Sequence, residues 1–106
     1  LPKTVEVYSS QVLSAMNESV SKIVDLVKIT LEKTPPELSS DIMEKGIILA
    51  CGGALIQNLD KLLVDYTGMP VYVAEDPLDC VVKGAGRTLD DIDKLKTVFI
   101  NSRKRK

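Results

Sequence analysis

The chain has 106 residues, enough for one small domain and too few for two. Hydrophobic residues make up 44% and charged residues 27% of it, an ordinary globular balance, and no apolar run approaches the roughly 20 residues that span a bilayer. There is no histidine, which excludes Ser-His and Cys-His catalysis by this chain alone, and the two cysteines lack metal-ligand spacing. We therefore expect no catalytic residue and no metal site, and we expect both cysteines to be buried free thiols.

Charge is unevenly distributed along the chain. The net charge is −1, yet the last four residues, Arg103 to Lys106, are all basic. Such a tail is either a solvated chain end or a segment that is attracted to anionic lipid or nucleic acid. Four charges without interleaved aromatic residues are a poor nucleic-acid signature, so we predict no nucleic-acid partner.

A strand and a long helix are the first predicted elements. Thr4 to Tyr8 alternates β-branched and polar residues, which predicts a strand, and Ser9 or Ser10 can cap the helix that follows. Apolar residues at steps of three and four mark this helix, although Asn17 to Ser19 could separate two helices instead. We expect its apolar stripe to pack in the core; the stripe consists of Val12, Met16, Val20, Ile23, Val27 and Leu31.

Two prolines separate this helix from the next one. Pro35 stops the first helix, and Pro36 is suited to the first position of a second helix. That helix should run to Lys45, with Gly46 as its C-terminal stop.

The most informative stretch follows Gly46. Ile47 to Ala50 predicts a short buried strand, Cys51 to Gly53 a turn, and the residues from Ala54 onwards an amphipathic helix. Strand, glycine turn and helix is a common way to present backbone N–H groups to a nucleotide phosphate or ribose. Such turns also connect elements without binding anything, so the pattern alone leaves both interpretations open.

The last third predicts one more strand and further helical segments. Gly68 and Pro70 end the central helix, and Val71 to Ala74 is a second apolar strand. Asp76 and Pro77 form a cap and first position for the next helix.

Later in that helix, Gly84 to Gly86 either bends it or allows close packing. Thr88 to Lys96 is helical by the same criteria, and Thr97 to Asn101 is extended.

This order of elements predicts an α/β fold with the two central strands parallel. Three strands leave open sheet edges, which predicts self-association through Thr4–Tyr8 or Thr97–Ile100 in a contact unrelated to any filament. The expected buried cluster consists of Ile47, Ile48, Leu49, Leu59, Leu62, Leu63, Val71, Val73 and Val81.

Three stretches carry a specific family resemblance. PPEL begins at Pro35, GGALIQNLDKLL at Gly52 and TGMPVYVAEDP at Thr67, and the similarity extends over essentially the whole chain. The chain resembles bacterial actin-like proteins of the MreB group, which includes Mbl. By that likeness, residues 1–106 form a single unit corresponding to the C-terminal portion of such a protein.

The resemblance implies a fold and a ligand. The family fold is ribonuclease-H-like α/β, the actin-like ATPase fold, and the chain would hold mainly subdomain IIA with the closing elements of subdomain IA. The intact protein would bind ATP with magnesium between two halves, and the residues that face adenosine here would be Gly52, Gly53, Ala54 and Leu55. The phosphate and magnesium contacts would lie elsewhere, so this chain by itself would bind ATP weakly or not at all and would not be an enzyme.

Two positions of the turn, Ala50 and Cys51, depart from the family pattern. The family usually has Thr-Gly-Gly-Gly-Ala where this chain has Ala50-Cys51-Gly52-Gly53-Ala54. If Cys51 adopts a positive φ, the expected cost is about 1 kcal/mol; if it remains strand-like, the change is nearly free.

The resemblance also implies a cellular role. The intact protein would be a weak ATPase that forms filaments with its own copies on the inner face of the bacterial membrane, in the cytoplasm. It would guide cell-wall synthesis and cell shape together with a RodZ-type membrane partner and the cell-wall machinery, with membrane association through parts not present here. Two alternatives are a freestanding interaction module of actin-like fold without nucleotide chemistry, and a piece of a sugar-kinase-type enzyme, which shares only the glycine turn.

Overall fold

The computed structural model describes residues 1–96 and 98. The five helices of this part are α1 (Ser9–Glu32), α2 (Pro36–Lys45), α3 (Leu59–Thr67), α4 (Cys80–Asp90) and α5 (Ile92–Leu95). The strands are β1 (Ile47–Leu49) and β2 (Val71–Val73), and each is followed by a short 3₁₀ helix, Gly52–Leu55 after β1 and Pro77–Asp79 after β2.

The two strands form a parallel pair. Ile47 lies opposite Val71 and Leu49 opposite Val73, with α3 as the crossover between the strands. This confirms the predicted parallel arrangement, since parallel neighbours need a crossover connection rather than a hairpin.

The first strand prediction was wrong. Residues 4–8 form no strand in the structure and are all exposed. A strand exists only when its N–H and C=O groups pair with a neighbour, and no neighbouring strand lies beside this segment in the described part of the chain.

One continuous helix, α1, follows the N-terminal segment, so the two-helix alternative is excluded. The predicted serine caps were also wrong, because Tyr8 occupies the N-cap position and its backbone N–H donates to the Gln11 side chain at 2.9 Å. The Gln11 N–H in turn donates to the Tyr8 carbonyl at 3.0 Å, and Ser9 is the first helical residue.

Proline and glycine signals gave the right boundaries for α2. Pro36 is the first residue of α2, and Gly46 ends it with a φ of 83°. Gly68 ends α3 in the left-handed conformation, with a φ of 68° and a ψ of 5°. These positions are predictable because few other residues reach positive φ without strain.

Helix α3 begins later than its apolar pattern predicted. The chain passes through the 3₁₀ helix Gly52–Leu55 and then adopts a left-handed conformation at Asn58, with a φ of 64°. A right-handed α-helix cannot continue through such a residue, so α3 starts at Leu59 rather than at Ala54.

The segment between β2 and α4 also differs from the prediction. Asp76 has a φ of 47° and makes no capping hydrogen bond, and the 3₁₀ helix from Pro77 comes before α4. Helix α4 runs without interruption through Gly84 and Gly86, and an added Cβ on either glycine would meet nothing within 4 Å. These glycines therefore do not serve close packing in the described part of the chain.

The predicted helical stretch Thr88 to Lys96 is divided between the end of α4 and the short helix α5, with Asp91 between them. The predicted extended stretch Thr97 to Asn101 lies outside the described residues apart from Val98.

A small core lies between α1, α3 and the sheet. Its buried residues are Val24, Leu59, Leu63 and Val71, and Ile47, Leu49 and Leu62 pack against them. The Lys28 ammonium lies 5.4 Å from the centre of the Tyr66 ring, a further contact between α1 and α3.

Three members of the predicted core are exposed. Ile48 is 60% exposed, Val73 42% and Val81 69%. Ile48 alternates with Ile47 and Leu49, so it points to the face of the sheet that no described element covers. Three residues of the α1 stripe, Val12, Met16 and Ile23, are likewise exposed.

Within residues 1–96, no helix combines the length and the apolar character that crossing a membrane requires.

Candidate functional site

The predicted glycine turn begins where β1 ends. Cys51 leaves the strand with φ 64° and ψ −168°, and the 3₁₀ helix Gly52–Leu55 follows it directly. The Ala54 N–H donates to the Cys51 carbonyl at 3.2 Å, and the Ile56 N–H donates to the Gly53 carbonyl at 3.2 Å. The four predicted site residues therefore form one turn with its own hydrogen bonds.

Two backbone hydrogen bonds tie this turn to the loop that follows β2. The Ala74 N–H donates to the Leu49 carbonyl at 2.8 Å, and the Cys51 N–H donates to the Pro77 carbonyl at 2.7 Å. The two loops consequently lie side by side at the carboxyl edge of the parallel pair. In open α/β sheets, ligands bind at this edge.

The two glycines present unused donors. Gly52 and Gly53 are exposed, and their N–H groups donate to no other residue of the described chain. A Cβ added to Gly53 would meet nothing within 4 Å, and one added to Gly52 would approach only the Leu78 side chain, at 3.9 Å. The turn is therefore open to a ligand that accepts hydrogen bonds from the main chain.

The other two predicted residues differ from the glycines. The Ala54 side chain is buried and its N–H is already bonded within the turn, so Ala54 offers a ligand neither a free donor nor an accessible side chain. The Leu55 side chain is exposed and offers an apolar surface beside the glycines. The contact of all four residues with adenosine stays a prediction.

Cys51 adopts the positive φ that the sequence analysis considered. A residue with a side chain in this region of φ and ψ is strained by about 1–3 kcal/mol. The thiol is exposed, and Cys80 in the adjoining loop is half-buried; both cysteines are free. The prediction of free thiols is confirmed, and the prediction that both are buried was wrong.

We expect Cys51→Gly to raise the free energy of unfolding by about 1 kcal/mol, because the relief of strain exceeds the 0.4–1 kcal/mol that glycine costs through the unfolded chain. Urea unfolding followed by circular dichroism measures the change. Cys51→Ala is the matched control, since it removes the thiol, keeps the strain and should be nearly neutral. A destabilised Cys51→Gly variant would contradict the positive φ.

A charged pair that the sequence did not predict, Asp76 and Lys83, lies in the loop beside the turn and on α4. The Lys83 ammonium donates to the Asp76 carboxylate at 2.7 Å, and this contact holds the pKa of that carboxyl below its ordinary value of 3.8. The two side chains line a shallow surface depression together with Glu75, Cys80, Gly84 and Arg87. Helical spacing gives no signal for this pair, because Asp76 lies outside α4 and has a left-handed conformation.

The described residues of this region do not form a magnesium site. Among residues 1–96 and 98, no three Cys, Asp or Glu side chains lie close enough together to hold a metal ion. The donor set of the turn consists of backbone N–H groups, which suit the sugar or base of a nucleotide rather than a cation.

A family model described as MreB/Mbl protein matches residues 1–97. The chain belongs to the MreB/Mbl family. It is 52% identical over 95 residues to the cell shape-determining protein Mbl of Bacillus subtilis and 50% identical over 93 residues to the cell shape-determining protein MreB of Escherichia coli K12. These alignments cover 90% and 88% of the chain but only 28% and 27% of the relatives, so the chain spans little more than a quarter of their length.

Solved structures of the MreB/Mbl family share the fold. MreB5 of Spiroplasma citri bound to ADP superposes with a TM-score of 0.79 at 42% identity, over 89% of this chain and 29% of that one. The same protein bound to AMPPNP gives a TM-score of 0.79 at 40% identity, over 93% and 30% of the two chains. This confirms the predicted fold class, a partial actin-like ATPase fold.

Proposed function

We propose that the chain contributes the adenosine-facing turn of an ATP-binding cleft in an MreB-type protein. The observation that carries this proposal is the pair of exposed glycines Gly52 and Gly53, at the carboxyl edge of two parallel strands, whose N–H groups donate to no other described residue. The nucleotides bound to the MreB5 structures support the choice of ligand. Leu55 would provide the apolar surface against the base or ribose, and Ala54 would hold the turn in place.

The turn is one side of a two-sided cleft. It supplies neutral donors and no group that positions an attacking water, so the chain by itself would not hydrolyse ATP. The charge-assisted contacts to phosphate, each contributing about 1.5–3 kcal/mol, and the magnesium site would come from the remainder of a full-length protein. We propose that residues 1–106 form a single C-terminal unit of such a protein.

The family supports a proposal for the role of the whole protein. We propose a cytoplasmic, filament-forming cell-shape protein at the inner face of the bacterial membrane, with its own copies, a RodZ-type membrane partner and the cell-wall synthesis machinery as partners. The relatives named as cell shape-determining proteins support this role.

Cys51 supports a second candidate function. Its side chain stands in the turn where the family usually has glycine, and its thiol is exposed. A freestanding interaction module of actin-like fold, without nucleotide chemistry, would tolerate this substitution. The sugar-kinase alternative is set aside, because the family match extends over residues 1–97 and not only over the turn.

The test is a titration of residues 1–106 with ATP, followed by the amide signals in nitrogen-15 NMR spectra. The signals of Gly52, Gly53 and Leu55 should shift, with a dissociation constant in the millimolar range because the phosphate contacts are missing. Gly53→Val should abolish the shifts, since the new side chain fills the open space without a clash. Gly86→Val, also in open space but away from the turn, is the matched control and should leave them unchanged.

Two outcomes would count against the proposal. A micromolar affinity for magnesium-ATP would show that the chain makes phosphate contacts that we assign elsewhere. If the amide signals of Gly52, Gly53 and Leu55 do not shift at high ATP concentration, the result would favour the interaction module.

A further inference from the structure

The two cysteines of the chain lie in the two loops that meet at the carboxyl edge of the strand pair. Cys51 lies between β1 and the 3₁₀ helix of the glycine turn, and Cys80 is the first residue of α4, directly after the 3₁₀ helix that follows β2. Helix α3 and strand β2 separate them in the sequence, so only the fold brings them to one place. Both are free thiols.

A backbone hydrogen bond limits the distance between the two cysteines. The Cys51 N–H donates to the Pro77 carbonyl at 2.7 Å, which places the Cys51 Cα within about 4 Å of that oxygen. Cys80 follows at the end of the 3₁₀ helix Pro77–Asp79, and in such a turn a carbonyl oxygen lies within about 4 Å of the Cα three residues later. The two Cα atoms are therefore at most about 8 Å apart, a limit that includes the range of about 4.4–6.8 Å that a disulfide bridges.

The Cys80 side chain lies against the loop that contacts the glycine turn. Its Sγ is 3.6 Å from the Asp76 carbonyl oxygen and 3.8 Å from the Glu75 carbonyl oxygen, which is hydrogen-bonding distance for a thiol. This stretch of loop lies between the two backbone hydrogen bonds that join the loops. The sulfur is consequently on the segment that faces Cys51, and a change of its χ1 rotamer moves it without moving the backbone.

The two thiols differ in their access to solvent. Cys51 is exposed, whereas Cys80 is half-buried. An oxidant in solution therefore reaches Cys51 first, since thiol oxidation follows exposure. An accessible thiol beside a second, more protected thiol is the arrangement of a redox-responsive pair, in which the second thiol resolves the oxidised first one.

We infer that Cys51 and Cys80 form a disulfide when the protein meets a hydroperoxide, and that this bond ties the glycine turn to the start of α4. The Cys51 thiolate attacks one peroxide oxygen and the O–O bond breaks. Cys51 becomes a sulfenic acid, and the other oxygen takes the thiol proton and leaves as an alcohol, or as water from hydrogen peroxide.

Cys80 completes the reaction. Its thiolate attacks the Cys51 sulfur, the S–O bond breaks, and the departing hydroxide takes the Cys80 proton and leaves as water. A small thiol such as glutathione reverses the bond by two successive exchanges at sulfur and leaves as its own disulfide. In a reducing compartment the link is therefore transient and forms only under oxidation. The inference does not depend on what the turn binds.

The test is oxidation of residues 1–106 by hydrogen peroxide at low micromolar protein concentration. Free thiols are then alkylated, and a tryptic digest is analysed by mass spectrometry without reduction. The tryptic peptide that contains Cys51, residues 46–61, should be linked to the one that contains Cys80, residues 62–83, in a protein that remains a monomer. Glutathione should release the two peptides, and Cys51→Ser or Cys80→Ser should each abolish the link.

The matched control moves the second thiol along α4. In a chain with Cys80→Ala and Leu89→Cys, the new thiol is at a position that is 68% exposed but about 13 Å further along the helix axis. At the glutathione redox ratio that half-oxidises the native pair, the ratio of disulfide to dithiol in the control should be at least tenfold lower. In urea the two chains should agree to within about twofold, because their closed loops differ little in length. Circular dichroism without urea establishes that both are folded.

Three results would overturn the inference: native thiols that are oxidised separately without a link between residues 46–61 and 62–83, a link that forms only between two chains, or a folded control that forms its disulfide as readily as the native pair. Each would show that the two loops do not hold Cys51 and Cys80 within reach of one another.

Discussion

Leu63→Ala should lower the free energy of unfolding by about 2–5 kcal/mol, the range for a buried leucine whose site cannot fully collapse. Leu63 is 0% exposed and is the only fully buried large side chain in the described part of the protein. It lies at the centre of the contact between α1, α3 and β2, together with Val24, Leu59 and Val71. With so few buried residues, the loss is a large share of the 5–15 kcal/mol that a typical domain has.

Urea unfolding monitored by circular dichroism measures this loss. The neighbouring Val64 provides the control, because Val64→Ala removes a side chain that is 39% exposed on the same helix and should cost well under half as much. Leu59→Ala should resemble Leu63→Ala, since Leu59 belongs to the same cluster. Equal, small losses at Leu63 and Val64 would show that α3 presents a different face to the core.

Gly46→Ala should also destabilise the protein strongly, by about 3 kcal/mol or more. The φ of 83° and ψ of −178° at this position lie in a region that is essentially restricted to glycine, which alone costs about 1–3 kcal/mol. A Cβ there would lie 2.6 Å from the Tyr72 ring and 2.9 Å from the Pro70 carbonyl oxygen. The Pro70 oxygen cannot withdraw freely, because it accepts the Ile47 N–H at 2.8 Å and so holds the start of the strand pair.

Comparison with Gly68→Ala distinguishes the cost of backbone strain from the cost of the steric clash at Gly46. Gly68 also has a positive φ, but a Cβ added to it would meet nothing within 4 Å. Its substitution should cost about 1–2 kcal/mol, the strain of the left-handed conformation alone. If the two variants unfold at the same urea concentration, the close approach at Gly46 does not exist in solution.

Proline and glycine positions were predictable because their effect is local. Pro36 fixes its own φ, and Gly46 and Gly68 reach conformations that other residues avoid, whatever lies around them. The same holds for the parallel pair, since two apolar runs separated by a crossover helix have few other ways to meet. The specific stretches at Pro35, Gly52 and Thr67 likewise identified the family without any knowledge of packing.

The candidate site was predictable only in part. The sequence predicted that Gly52 to Leu55 follow a strand. It did not predict that Ala54 is buried or that the two glycines are exposed. These properties arise where loops from different parts of the chain meet, as in the hydrogen bond from the Cys51 N–H to the Pro77 carbonyl. The same contact region contains the Asp76–Lys83 pair, which the sequence analysis missed.

Burial was decided by the tertiary structure alone. An apolar residue in the sequence indicates that its side chain can be buried. Whether it is buried depends on a second surface that covers it, and that surface comes from elsewhere in the chain. Val24 is buried because α3 lies against it, while Ile48 and Val81 are exposed because no described element covers them. For the same reason Thr4–Tyr8 has the composition of a strand and forms none, since its hydrogen-bond partners must be supplied by another segment.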